Sequence, residues 1–364
     1  MQRLPQRSYK TLQLLPSAML PVAEGCYTLP MLTRRHFMTL TAALSACAPA
    51  ALKESTPSDD TGHVGPSPPT DGSLSEITPN ETFYITTYSP SRVPGADWVA
   101  SWSLSVGGLV AAERSIDLEG IKALGGNDIE HTLECISNSS SHAIGNAIWT
   151  GVPLSTLLSA MGVEIDASAT HLWFHCGDDY STSVPLGDLP AMWAVWEMNG
   201  EALPMDHGWP VRILTPGRYG MKNPKWLSRI EMAAESIPGT WEVYGWSDDC
   251  TYHIHSWIHS PAPSSAIDPA GTTLIGCAYA GSRAVVKVEV SQDGGLSWAE
   301  ATLDYAPGPN IWVLWSFLLV PAATGPFEVL VRATTEDGEV QADLESSDGN
   351  LDGFEGLDSR NYTV

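Results

Sequence analysis

The sequence predicts an α+β protein, with a mixed α+β domain over residues 76–261 and a small antiparallel β-sandwich over residues 262–364. Three observations predict this. Between Ile77 and about Pro261, short β-like runs such as Trp102–Val106 alternate with helical ones such as Leu154–Met161, separated by Gly and Pro. From about Gly271 the texture changes: Val286, Val288 and Val290 alternate with Lys287 and Glu289, and Gln292-Asp293-Gly294-Gly295 then turns the chain into Leu296-Ser297-Trp298. Phe327, Val329 and Val331 alternate in the same way before the turn at Glu336-Asp337-Gly338.

The segments ahead of these domains read as an address and a tether. Residues 31–50 hold Arg34 and Arg35 followed by a short apolar run, the pattern of an export signal. Thr33-Arg34-Arg35-His36-Phe37-Met38 resembles a twin-arginine signal, and Leu44-Ser45-Ala46-Cys47 resembles a lipoprotein box with Cys47 as the lipidated residue, so residues 1–47 are expected to form an export signal, with translation starting at Met1 or Met31. Residues 48–75 carry Pro49, Pro57, Pro66, Pro68 and Pro69 among Ser, Thr, Asp and Gly, the composition of a flexible linker. The expected location is periplasmic or at the cell surface, with membrane contact only through a lipid anchor.

Composition excludes several functions. The 42 acidic residues against 18 Lys and Arg give 364 residues a net charge of −24, which repels nucleic acid and anionic membrane surfaces. Six scattered cysteines, none in a C-x-x-C pair, supply no disulfide framework and no zinc ribbon. The acidic stretch Asp343–Asp358 reads as solvated surface or as a calcium loop, although its spacing fits no EF-hand.

Against this acidity, Pro210–Arg229 contains Arg212, Arg218, Lys222, Lys225 and Arg229 and no acid, where about one cation is expected in such a window. Clustered cations repel one another unless an anion neutralises them. Either a bound anion sits there, helped by Pro216, Gly217, Gly220 and Pro224 turning backbone N–H groups toward it, or the cations pair with carboxylates elsewhere. Cys135 ends a strand-like run, Thr132-Leu133-Glu134-Cys135, that breaks into serines; by itself it reads as a small buried hydrophobe or as a thiolate ligand, as does Cys176. His253, His255 and His259 alternate as metal ligands on a strand would, but no neighbouring Cys or carboxylate pair completes a shell.

In order and spacing, these segments resemble the sulfite oxidase family of molybdopterin enzymes, in its bacterial exported branch. The resemblance runs from about Ile77 to Gln341. It is carried by Ile77-Thr78-Pro79-Asn80 with Phe83-Tyr84, by Leu133-Glu134-Cys135-Ile136-Ser137-Asn138, by Trp149-Thr150-Gly151-Val152-Pro153-Leu154 and by Trp196-Glu197-Met198-Asn199-Gly200. The strongest piece is His207-Gly208-Trp209-Pro210-Val211-Arg212 continuing to Pro216-Gly217-Arg218-Tyr219-Gly220-Met221-Lys222-Asn223-Pro224-Lys225-Trp226. Val288–Gly295 with Trp298 and Val331-Arg332-Ala333 resemble the immunoglobulin-like C-terminal domain of that family.

The resemblance implies a molybdenum–molybdopterin cofactor held through the sulfur of Cys135, with Trp196 and Asp178 beside it at the reacting centre. It further implies that Tyr84, Tyr88, Asp178, His207, Arg212, Asn223, Pro224 and Lys225 contact the pterin and its phosphate, with Arg212, Lys222 and Lys225 neutralising the latter. Sulfite-oxidising relatives carry arginines in the segments matched by Thr86 and Ser140 and a tyrosine where Trp196 stands. Losing two cations should weaken oxyanion binding by roughly 1.5 to 3 kcal/mol for each charged hydrogen bond. The expected substrate is therefore small and neutral, an S-oxide or N-oxide rather than sulfite. No c-type haem motif or flavin fingerprint is apparent, so electrons would pass to or from an external redox protein, a cytochrome by preference. A monomer is expected ahead of a homodimer. The rival reading is a surface-tethered binding lipoprotein that kept the scaffold without the chemistry.

Overall fold

The computed structural model describes residues 73–138, 143–342 and 351–364. The leader, Cys47, nearly all of the linker, Ser140 and residues 343–350 of the acidic stretch lie outside the described residues.

The α+β part is built on two sheets. One runs in the order Arg114–Ile116, Leu104–Gly108, Leu227–Ala233, His171–Cys176, Ser181–Pro185, with a single parallel pairing between Leu104–Gly108 and Leu227–Ala233. The other runs Asn127–Glu134, Ile144–Pro153, Trp193–Met198, Glu201–Ala202, and Arg212–Leu214 also pairs with Trp193–Met198. The helix Leu154–Ala160 has no side-chain cap. It is held by the packing of Leu154, Leu157 and Leu158, spaced i, i+3, i+4, in one core with Leu104, Phe174 and Ile230.

Two four-stranded antiparallel sheets form the β-sandwich: His255–Ser260, Thr272–Tyr279, Val313–Leu319, Thr302–Tyr305; and Ala299–Glu300, Val285–Ser291, Pro326–Thr335, Asp358–Thr363. Val288, Val290, Val329 and Val331 fill its core, as their alternation predicts. Val286 does not join them. The register shifts between Val285 and Lys287, so Val285 turns inward and Val286 is exposed. The sandwich also takes its first strand, His255–Ser260, from the stretch that the sequence assigned to the preceding domain, since Trp257 pairs with Cys277 across the sheet. That strand is covered on both faces over His255–Ile258 and so shows no alternation to read.

A third apolar cluster joins the α+β part to the sandwich, combining Ile136, Ile144, Tyr219 and Met221 with Tyr252, Trp257, Tyr279 and Trp312. Thr132 is the polar centre of this seam. Its N–H donates to the Asn310 carbonyl (2.9 Å), its carbonyl accepts from Tyr279 Oη (3.2 Å) and its hydroxyl accepts from the Trp312 N–H (2.9 Å). The sandwich thereby covers the open edge of Asn127–Glu134 and fixes the strand that delivers Cys135.

Candidate active site around Cys135

Cys135 is the first residue beyond the strand Asn127–Glu134. Its N–H donates to the Ala143 carbonyl (2.9 Å), and its carbonyl accepts from the Asn138 N–H (2.9 Å), which closes a turn with Sγ 3.2 Å from the Ser137 hydroxyl. Asn138 ties that turn twice, donating to Glu134 Oε1 (2.8 Å) and accepting from the Ala143 N–H (3.2 Å). Behind it, Glu134 Oε1 lies 3.1 Å from His255 Nε2 in the sandwich, both side chains shut off from solvent. Burial opposes charging of His255, yet Glu134 outweighs it and holds the imidazole pKa above its ordinary value.

Cys135 opens into a cavity of about 570 Å³. Tyr84, Tyr88, Asp178, His207, Arg212, Asn223, Pro224 and Lys225 line it as well. Nine of the eleven residues that the sequence proposed for the site are thus brought to one cavity. Asn223 acts through its backbone and as a brace: its side chain accepts from the Thr215 N–H (2.6 Å) and donates to the carbonyls of Arg218 and Tyr219. Its carbonyl accepts from Arg212 Nη2 (3.1 Å).

Arg212 and Lys225 form the positive end. Arg212 is buried, donates to the His207 and Asn223 carbonyls, and leaves Nε without a hydrogen-bond partner among the described residues. Lys225 Nζ donates to the Asp206 carbonyl (2.8 Å) and lies 4.4 Å from the Trp226 ring centre. Among the described residues neither cation has a carboxylate partner within salt-bridge distance. The electrostatics register the strain. Desolvation, then Arg212, lowers Lys225 to a pKa of about 7; burial, then Arg212, lowers His207 to about 4; and burial raises Asp178, the only carboxyl lining the cavity among the described residues. Cys176 lies outside the lining, buried, with its thiol pKa pushed up by burial and then by Asp178.

Two expected site residues are elsewhere. Trp196 is 3% exposed and packs in the apolar core with Leu154 and Ile213, not in the cavity. Its strand is enclosed on both faces, so the motif gives no face to the side chain. Lys222 is fully buried, and its ammonium contacts Glu242 Oε1 (2.5 Å), Asp248 Oδ1 (3.3 Å) and the Ser183 carbonyl (3.0 Å). With its charge already answered by carboxylates, it is not available to a phosphate. Arg218 pairs likewise with Asp188 and Asp249, and Arg229 with Glu113 and Glu231. The cationic stretch is therefore both things its composition allowed: two cations face the cavity and three are ion-paired.

The sequence reading missed Trp241, Tyr244 and Trp246, which line the cavity. Their density ahead of the strand His255–Ser260, three aromatics in six residues, was the available signal. Of the histidines, His255 is held by Glu134, and His253 lies near Asp352 and Glu355. No group of three or more His, Cys, Asp or Glu side chains converges as a metal site among the described residues.

Residues 91–241 match the model of the oxidoreductase molybdopterin binding domain, and residues 249–354 match that of the Mo-co oxidoreductase dimerisation domain. Sulfite oxidase of Gallus gallus is 30% identical over 327 residues, covering 76% of this chain and 70% of its own. Sulfite oxidase of Arabidopsis thaliana is 28% identical over 340 residues, with 77% and 86% covered. The match to the mitochondrial sulfite oxidase of Mus musculus spans 59% of that protein's length. In fold, the chain is similar to the sulfane dehydrogenase SoxCD from Paracoccus pantotrophus, with a TM-score of 0.71 at 19% identity over 85% of this chain and 86% of that one.

The cavity fits the cofactor this family implies. A molybdenum–molybdopterin group asks for one protein thiolate and for cations at its phosphate, and the cavity offers Cys135 together with an arginine whose buried Nε has no partner and a lysine desolvated without a carboxylate. The chain belongs to the sulfite oxidase family of molybdopterin-dependent oxidoreductases.

Proposed function

We propose that this enzyme carries out two-electron oxygen-atom transfer on a small neutral substrate of the S-oxide or N-oxide type, with sulfite a poor substrate. The observation that carries this reading is the pair of hydroxyls at Thr86 and Thr87. Both line the cavity, and both oxygens are buried with no hydrogen-bond partner among the described residues. A neutral hydroxyl donates well to the oxygen of an S-oxide or N-oxide but brings no charge to offset the desolvation of a sulfite dianion. Only Arg212 and Lys225 are cationic in the described lining, and these are the residues suited to the cofactor phosphate.

Bound there, the cofactor supplies the two-electron exchange that accompanies movement of an oxygen atom on or off the substrate. The chain's own residues do the rest. Cys135 is held ready by the turn that Asn138 and Glu134 brace, Thr86 and Thr87 orient the oxide oxygen, and the aromatic side chains of the lining exclude water. Trp196 takes no part in this reading; the aromatic surface comes from Tyr88, Trp241, Tyr244 and Trp246.

On the same reading the chain is exported, tethered through Cys47, and exchanges single electrons with an external protein, a cytochrome by preference. The dimerisation-domain match over 249–354 favours a homodimer over the monomer that the sequence put first. Protein made in a molybdopterin-competent host and screened with S-oxides, N-oxides and sulfite against a dye donor or acceptor tests the proposal. Turnover of an oxide with weak or no use of sulfite is the expected result. Tight sulfite oxidation at micromolar substrate would overturn it.

A further inference from the structure

We propose that Trp241, Tyr244 and Trp246 form a specificity wall that takes an aromatic group on the substrate, and that the buried Lys222–Glu242 pair holds this wall in place. The proposal rests on the oxygen-atom-transfer reading and names the substrate class more narrowly.

Trp241 is the hub of the wall. Its ring meets Tyr88 at 5.7 Å and 84°, Trp246 at 6.4 Å and 68°, and Tyr244 at 6.5 Å and 59°, and all four residues line the cavity. Each of the three neighbouring planes is steeply inclined to that of Trp241, so the wall presents faces and edges together, the mixture against which an incoming ring finds offset or edge-on contact. Tyr88 follows Thr86 and Thr87 directly in the chain, which sets the hydrophobic wall beside the two unpartnered hydroxyls. An aryl oxide matches both features. A dialkyl oxide uses only the hydroxyls.

The wall has little regular backbone structure to fix it. Its only regular structure is the single 3-10 turn Glu242–Tyr244, and Tyr244 is 50% exposed. Trp241 and Trp246 pack against the apolar seam of Tyr219, Met221 and Tyr252, and polar contacts fix the two ends of the run. Glu242, 3% exposed, receives Lys222 Nζ at 2.5 Å and the Thr182 hydroxyl at 2.7 Å. At the far end of the run, Asp248 receives Lys222 at 3.3 Å and the Ser236 hydroxyl at 2.8 Å, and Asp249 pairs with Arg218. Thr240, just before the wall, is paired to Ser181 by its N–H (2.8 Å) and its hydroxyl (2.9 Å). A fully buried lysine with a carboxylate is rarely worth more in stability than a well-packed apolar pair of the same volume. Its particular contribution is directional, one ammonium bridging both ends of the aromatic run.

The test is the ratio of kcat/KM for methyl phenyl sulfoxide to that for dimethyl sulfoxide, measured on molybdenum-loaded enzyme. Trp241→Ala should lower the ratio about tenfold, mainly through KM for the aryl substrate, equivalent to about 1.4 kcal/mol. Lys222→Met alone leaves Glu242 buried and unpaired and risks unfolding, so the clamp is tested in Lys222→Met/Glu242→Leu, which should keep its molybdenum content and lose the ratio to a similar extent. A ratio unchanged within twofold in both variants overturns the proposal. A fall in Trp241→Ala alone supports the wall and overturns the clamp. If no oxide is turned over, the oxygen-transfer reading has failed on its own, and calorimetric Kd values for the two sulfoxides then decide the wall: tighter aryl binding lost in both variants supports it, equal binding of the two compounds overturns it.

Discussion

Lys222 and Lys225 stand three residues apart in one acid-free stretch, and the fold gives them opposite surroundings. Lys222 is buried and paired with Glu242 and Asp248, while Lys225 faces the cavity with, among the described residues, a carbonyl alone to accept from it and Arg212 nearby to repel it. The first is a finished electrostatic arrangement, whereas the second has no carboxylate partner among the described residues and is suited to an anion. An excess of cations in a sequence therefore does not locate a binding site by itself. What locates it is the subset left without carboxylates.

This comparison can be broken most strongly at Lys222. Lys222→Met should cost roughly 3 to 5 kcal/mol, because it strands a buried carboxylate, and the loss should appear in chemical denaturation with or without cofactor. Lys225→Met should do the reverse. It should change cofactor-free stability by no more than about 1 kcal/mol but weaken retention of the phosphate-bearing cofactor by roughly 1.5 to 3 kcal/mol, seen as lower molybdenum per chain after dialysis. If both variants lose stability equally and keep their metal, the distinction fails.

Proton linkage gives a finer contrast. The pKa of Lys225 falls from an ordinary 10.5 to about 7 in the fold. Between those values the unfolded chain holds a proton that the folded chain does not, so cofactor-free stability should rise with pH across that window, by at most about 1.4 kcal/mol per pH unit from this group. Lys225→Met should flatten the slope, and so should cofactor loading, because a phosphate keeps the ammonium charged. His207 and His131 act at lower pH. Burial first and Arg212 second lower them to about 4 and about 3, so stability should fall as pH drops below 6.5 toward those values. The smallest effect belongs to Arg218→Leu, which gives up pairs with the partly exposed Asp188 and the largely exposed Asp249 and should cost about 1 kcal/mol or less in a urea titration.

Much of this was legible in the sequence where a local signal existed. The hairpin turns and alternating valines announced the sandwich, and the strand-like run that breaks into serines at Cys135 announced the end of the strand there. The rest was decided by long-range packing. Trp196 and the strand His255–Ser260 lie in layers enclosed on both faces, where period-two alternation disappears. The partition of the cations depends on Glu242, Asp248 and Asp188, twenty to thirty residues away in the chain. The Glu134–His255 contact behind Cys135 joins residues of different domains, and no local pattern encodes it.

Molybdenum content and thiol accessibility, measured together on protein from a molybdopterin-competent host, test the central claim most directly. The expected result is about one molybdenum per chain, with Cys135 protected from alkylation until the metal is removed. Protein that carries no molybdenum from such a host, with Cys135 freely alkylated, would contradict it.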